Sequence, residues 1–194
     1  WINRQRRDIY VRKSKVEGYR SRAVYKLEEI NQKFNIFCNG ASVLDLGAAP
    51  GSWSQYISKN YKNIKLVSID LNKFDQIENT FQIIGDFTEN IYKQKILNFF
   101  KGKIDIVISD MAVNTTGNKD LDSIQTSELC LDAMRFSKEV LKKKGTFVSK
   151  IFIGSTFNEI IDESKKIFKK NKVFKPSASR KESKESFIVC GVLR

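Results

Sequence analysis

The chain has 194 residues, with 35 Lys and Arg against 22 Asp and Glu, a formal net charge of +13, and 41% hydrophobic residues. That length supports one domain with a sizeable core, and the composition excludes a disordered or fibrous chain. No apolar run reaches membrane-spanning length, and Cys38, Cys130 and Cys190 form neither a CxxC pair nor an even set, which supports neither a disulfide framework nor a zinc site and fits a reducing compartment. Histidine is absent, so any acid–base chemistry falls to Asp, Glu, Lys, Tyr or Cys. The first residue is Trp1 rather than Met, and a segment upstream is expected.

In chain order, the first feature is a basic stretch, Arg4, Arg6, Arg7, Arg12, Arg20 and Arg22, interleaved with Tyr10, Tyr19 and Tyr25. Residues 1–19 read as a basic extension on a single unit spanning 1–194, and the Arg and Tyr mixture fits phosphate contacts with base stacking. A helix is predicted over 20–34, with apolar residues at Ala23, Leu27, Ile30 and Phe34 and Ser21 as its cap. Apolar strands are predicted at Ser42–Leu46, Lys65–Asp70, 81–85, Ile104–Ser109 and 146–151, with a last pair near 172–174 and 186–193. Helices over 52–59, 91–100, 125–141 and 156–169 alternate with them. This alternation predicts an α/β fold around a mostly parallel sheet.

The charge is uneven along the chain. Residues 1–40 hold ten Lys and Arg against four Asp and Glu, residues 165–194 hold ten against two, and the middle is close to neutral. Excess confined to the two ends points to a polyanionic partner, because Lys and Arg contacts to phosphate drive nucleic-acid affinity through counterion release. The alternative reading is a solvated surface, which suits runs such as Lys142 to Lys144.

The most informative turn follows the strand Val43-Leu44-Asp45-Leu46: Gly47-Ala48-Ala49-Pro50-Gly51-Ser52-Trp53, a small-residue loop opening a helix. In doubly wound sheets, this first strand–turn–helix crevice is where ligands bind. Asp70, at the end of the second strand, suits ribose hydroxyls, and Asp86, after a third apolar run, suits an adenine amino group. The pattern is not GxGxxG, which disfavours a dinucleotide oxidoreductase.

The segments Arg20-Ser21-Arg22-Ala23-Val24-Tyr25-Lys26-Leu27, Asp45-Leu46-Gly47-Ala48-Ala49-Pro50-Gly51-Ser52-Trp53-Ser54-Gln55 and Ser109-Asp110-Met111-Ala112 closely resemble the FtsJ/RrmJ family of S-adenosylmethionine-dependent ribose 2′-O-methyltransferases. The resemblance runs from about Arg12 over nearly the whole chain. It implies a Rossmann-like methyltransferase fold: a seven-stranded, mostly parallel sheet with an antiparallel last strand, and helices on both faces. It also implies bound S-adenosylmethionine, with Gly47, Ala48, Pro50, Gly51, Ser52, Trp53, Asp70, Leu71, Asp86, Phe87 and Asp110 as contacts, and no metal. Ser52 stands where many members have glycine and Val113 where many have proline; both bear on loop geometry rather than chemistry.

Methyl transfer to a ribose 2′-hydroxyl needs a base and an in-line approach. Lys150 ends the apolar strand Thr146-Phe147-Val148-Ser149-Lys150-Ile151, where a charge is costly unless paired or functional. Burial and neighbouring cations can bring a lysine into the range of a base. Asp110 follows the strand Ile104–Ser109 and would face it. The resemblance adds Lys26 and Glu185, giving a catalytic set Lys26, Asp110, Lys150 and Glu185 with Lys150 as general base. Taken singly, Lys26 and Glu185 read as solvated surface charges, Lys150 as a lysine reaching water, and Trp53 as packing.

The expected substrate is a uridine of large-subunit rRNA, within a ribosomal subunit or its precursor, with a tRNA anticodon loop, an mRNA cap or a non-catalytic RNA-binding assembly role as alternatives. A monomer inside the cell, with no membrane partner and an organellar ribosome as one setting, completes the expectation. Base N-methylation is disfavoured because Ser109-Asp110-Met111-Ala112 lacks the Pro-Pro-aromatic turn, and base C5-methylation because no cysteine follows Pro50 or Pro176.

Overall fold

The computed structural model describes residues 8–113 and 119–194. Its helices are α1 (Ile9–Val16), α2 (Val24–Phe34), α3 (Ser52–Asn60), α4 (Asn90–Phe100), α5 (Lys119–Val140) and α6 (Phe157–Ile167). The strands are β1 (Ser42–Leu46), β2 (Lys65–Asp70), β3 (Thr80–Ile84), β4 (Ile104–Ser109), β5 (Leu141–Phe152), β6 (Phe168–Phe174) and β7 (Glu185–Leu193). They form one sheet of seven strands in the order β3-β2-β1-β4-β5-β7-β6. The first five strands are mutually parallel, and β7 runs antiparallel to both neighbours. The chain starts in the middle of the sheet, winds outward to β3, and returns to lay β4 on the other side of β1. The switch point, where such sheets open a crevice, therefore lies between the carboxyl ends of β1 and β4.

Period-two alternation divides each central strand between two cores. Leu44, Leu46, Val107, Phe147 and Ile151 face α4, α5 and α6, where Ile96, Met134 and Ile160 meet them. Val43, Ile106, Ile108, Val148 and Phe187 face α2 and α3 and pack on Leu27, Ile30, Trp53 and Ile57. Each such buried Leu, Ile or Phe contributes about 1.5–3 kcal/mol relative to exposure. The same alternation carries Asp45, Lys150 and Glu185 toward the α2 and α3 side, which decides where the polar site forms.

Several boundaries differ from the sequence reading. The helix predicted over 20–34 starts at Val24. Ser21 is not its cap residue: Ala23 occupies that position, and Ser21 Oγ accepts from Ala23 N at 3.2 Å while lying 2.7 Å from Ser52 Oγ. Helix α1 was not predicted, although Asp8 gives it a side-chain cap by accepting from Tyr10 N at 3.1 Å and Val11 N at 3.4 Å. Leu141 and Phe168, included in the helices predicted over 125–141 and 156–169, instead begin β5 and β6.

Candidate active site

The turn after β1 is built by the sheet beneath it. Gly47 N and Ala48 N both donate to Ile69 O, at 2.9 and 3.1 Å, and Ala49 N donates to Asp70 Oδ2 at 2.9 Å. Gly47 has φ 70°, and a Cβ there would stand 2.1 Å from Met111 Cγ, so glycine lets the β1 and β4 turns approach. Gly51 has φ 103° and starts α3; a Cβ there would meet Ile77 and Arg20 at 2.6 and 2.7 Å. The Ala49–Pro50 peptide is cis. Gly47, Ala48, Pro50, Ser52, Trp53 and Asp110 line one pocket at the switch point.

Other expected contacts sit around this pocket rather than in its wall. Asp70, besides holding Ala49, accepts from Asn72 N at 2.7 Å. Asp86 Oδ1 accepts from Thr88 N and Oγ1, at 2.8 and 2.7 Å. Leu71 is exposed, Phe87 is packed in the core near Phe136, and Gly51 backs onto Arg20 and Phe74. Trp53 is buried, donates from Nε1 to Ala23 O at 2.8 Å, and lies against Phe187, so it fastens α3 to the sheet as well as walling the pocket.

Beside the pocket the four charged residues named from sequence converge. Lys150 Nζ donates to Asp110 O at 2.6 Å and lies 3.1 Å from Asp110 Oδ1. Lys26 Nζ lies 3.5 Å from Asp110 Oδ2 and donates to Glu185 Oε2 at 2.8 Å. The solvated-surface reading of Lys26 and Glu185 is thereby overturned, since each side chain is only 13% exposed and Lys150 is 8% exposed. Burial pushes the Asp110 carboxyl up, but the Lys150 and Lys26 ammonium groups outweigh it and hold it below the ordinary carboxylate value. Burial likewise lowers Lys26, and Asp110 with Glu185 more than offset this, so Lys26 ends raised.

Three contributors were missed in the sequence. Asp45 lines the same pocket, is 1% exposed, and accepts from Ser54 Oγ at 2.6 Å. Burial pushes its carboxyl up to about 7; Ser54 opposes, and the charges of Asp110 and Asp70 add to the rise. The pocket therefore gathers carboxylates at Asp45 and Asp110 with Asp70 at its edge, a donor set suited to a small cationic ligand. Ser179 donates to Glu185 Oε1 at 2.7 Å. Arg20 donates to Pro50 O, Asp75 O and Gln76 O, at 2.9, 2.8 and 3.0 Å, and so clamps the β1 turn to the loop after β2.

That clamp changes the reading of the basic stretch. Arg20 is committed to carbonyls, and Arg22 pairs with the Asp8 carboxylate and Ala178 O, so both serve the framework. Tyr25 is 2% exposed, packs on Tyr10 and Tyr19, and donates to Glu17 at 2.9 Å, which leaves it no face for a base. Arg4, Arg6 and Arg7 lie outside the described residues. No group of His, Cys, Asp or Glu among the described residues could hold a metal ion, and no helix among them is long and apolar enough to cross a membrane.

Known proteins match this architecture. The FtsJ-like methyltransferase family model matches residues 19–193. The ribosomal RNA large subunit methyltransferase E of Pelagibacter ubique (strain HTCC1062) is 64% identical over 194 residues, covering 100% of this chain and 96% of its own. The protein of the same name from Rickettsia bellii (strain RML369-C) is 47% identical over 196 residues, covering 97% and 86%. A crystal structure of a Plasmodium falciparum protein described as a ribosomal RNA methyltransferase has a TM-score of 0.80 and 34% identity, covering 90% of this chain and 98% of that one. The chain belongs to the FtsJ-like methyltransferase family.

Proposed function

We propose that the protein methylates a ribose 2′-hydroxyl of large-subunit rRNA, on a uridine, using S-adenosylmethionine. The observation that carries this reading is the buried Lys150–Asp110–Lys26–Glu185 cluster beside the glycine turn. The naming of the bacterial relatives supports the rRNA substrate. Residues 1–194 act as one monomeric methyltransferase unit, inside the cell, on RNA within a large subunit or its precursor.

The cofactor would sit on Gly47, Ala48 and Pro50, with Asp70 toward its ribose, Asp86 and Phe87 toward its base, and the carboxylates of Asp45 and Asp110 near its cationic end. When bound it supplies a methyl carbon on a positively charged sulfur, which leaves as a neutral thioether. To serve as the base Lys150 must first release a proton; the amine then keeps a hydrogen on Asp110 O, stays beside Asp110 Oδ1, and has its lone pair to take the hydroxyl proton. The resulting ammonium then rests against the Asp110 carboxylate. Lys26, raised by its two carboxylates, stays charged and suits a ribose or phosphate oxygen of the incoming RNA.

Replacing Lys150 by Ala should lower transfer of labelled methyl to RNA by about 10²–10⁴-fold, the usual contribution of a general base, while S-adenosylhomocysteine still binds. Undiminished transfer by that variant would remove Lys150 from the role.

A further inference from the structure

We infer that Ser179 is a positioning residue for methyl transfer, acting through Glu185 on Lys26 and Asp110; this rests on the reading that those charged groups form the reaction centre. Ser179 is 5% exposed, and its hydroxyl donates to Glu185 Oε1 at 2.7 Å while the other carboxylate oxygen accepts from Lys26 at 2.8 Å. The two oxygens of Glu185 are thus held from two sides, and the carboxylate has one orientation. A hydroxyl in so dry a place is costly unless bonded, and beside fully buried Ala178 a methyl group would serve packing equally well.

The strap carrying Ser179, between β6 and β7, is fixed by the helix that supplies Lys26. Lys26 and Glu29 are three residues apart, a spacing that puts them on one side of α2, and Arg22 lies in the turn just before that helix. Glu29 accepts from Ser177 N at 2.5 Å and Ala178 N at 2.8 Å, and Arg22 donates to Ala178 O. Ser179 N in turn donates to Pro176 O at 2.9 Å. The position of Ser179 relative to Lys26 is therefore set by α2 and the turn leading into it.

Without the hydroxyl, Glu185 Oε1 would be buried with a lost donor, and the carboxylate would rotate to share both oxygens with Lys26. The Lys26–Asp110 contact, at 3.5 Å, is longer than the Lys150–Asp110 contact at 3.1 Å and yields first. Asp110 then loses one of the two cations that fix the carboxylate on which Lys150 rests.

The test measures turnover of the full chain with labelled S-adenosylmethionine and large ribosomal subunits with unmodified rRNA, alongside melting temperature and S-adenosylhomocysteine affinity. Ser179→Ala should lower kcat about tenfold, the size expected for one hydrogen bond to a charged group, with S-adenosylhomocysteine affinity unmoved and the protein still folded at the assay temperature. Ser179→Thr, which restores a hydroxyl, should recover most of the loss, and in a Glu185→Ala background Ser179→Ala should cost nothing further. Wild-type kcat in Ser179→Ala, a loss that disappears when the assay is run well below the melting temperature, or a full further loss in the Glu185→Ala background would overturn the inference. An inactive wild type would instead overturn the reaction on which it rests.

Discussion

Asp45 and Lys150 occupy the same physical situation, a charge inside an apolar strand on the face turned toward α2 and α3, and both are buried. The sequence made Lys150 conspicuous because a cation between core residues demands a partner. The same signal stands in Val43-Leu44-Asp45-Leu46, where Asp45 reads as strand until the pocket above it is seen. Because the folded carboxyl titrates at about 7 rather than near 3.8, the cost of its charge is absent below pH 4, grows as pH rises to about 7, and is constant above. Asp45→Asn keeps an oxygen acceptor for Ser54 and removes the charge. Its stability relative to wild type should rise between pH 4 and 7 and then level off, as read by urea unfolding at pH 4 and pH 8. A difference independent of pH would show that Asp45 carries no such cost.

Among the elements, α2 and the strap after β6 act together. Glu29 takes two strap amides, so Glu29→Ala strands Ser177 N and the buried Ala178 N. The expected cost is about 1–3 kcal/mol of stability, with a loss of methyl transfer as Ser179 drifts from Glu185. Unchanged melting and turnover would separate the strap from the site. The central strands were legible because each is a short apolar run bounded by turn residues, and β1, β2 and β4 were predicted at their observed limits. The edge strand β6 was anticipated only over its last part, 172–174: Phe168-Lys169-Lys170-Asn171-Lys172-Val173-Phe174 is mostly exposed, so nothing imposes alternation on it. Helix α1 escaped for a related reason, since among its own residues only Ser14 is buried. Its signal was the Asp8 cap, masked by the basic residues around it.

At the scale of the whole molecule, the net charge of +13 divides into two kinds. Arg20 and Arg22 are turned to carbonyls and Asp8, and Lys175 to the carbonyls of Lys181 and Ser183, whereas Lys181 and Lys184 on the strap are exposed. Replacing Arg4, Arg6 and Arg7 with neutral residues should flatten the salt dependence of RNA binding by about 2–3 units of slope and leave S-adenosylhomocysteine affinity unchanged. An unchanged slope would return those arginines to mere composition. Lys26 and Glu185 stand 159 residues apart, so no local pattern could pair them. The family resemblance named both, and the sheet order explains why they meet: β7 inserts antiparallel between β5 and β6 and brings Glu185 to the carboxyl end of β5.

The most direct measurement of the central claim uses the chemistry of the product. A methylated 2′-oxygen cannot attack the adjacent phosphate, so ribose methylation survives alkaline hydrolysis as a dinucleotide. Large ribosomal subunits with unmodified rRNA, incubated with the protein and methyl-labelled S-adenosylmethionine, should give their label in one alkali-resistant dinucleotide beginning with 2′-O-methyluridine, and Lys150→Ala should lower it by about 10²–10⁴-fold. Label recovered in a base-methylated mononucleotide, or none from the wild type, would contradict the account.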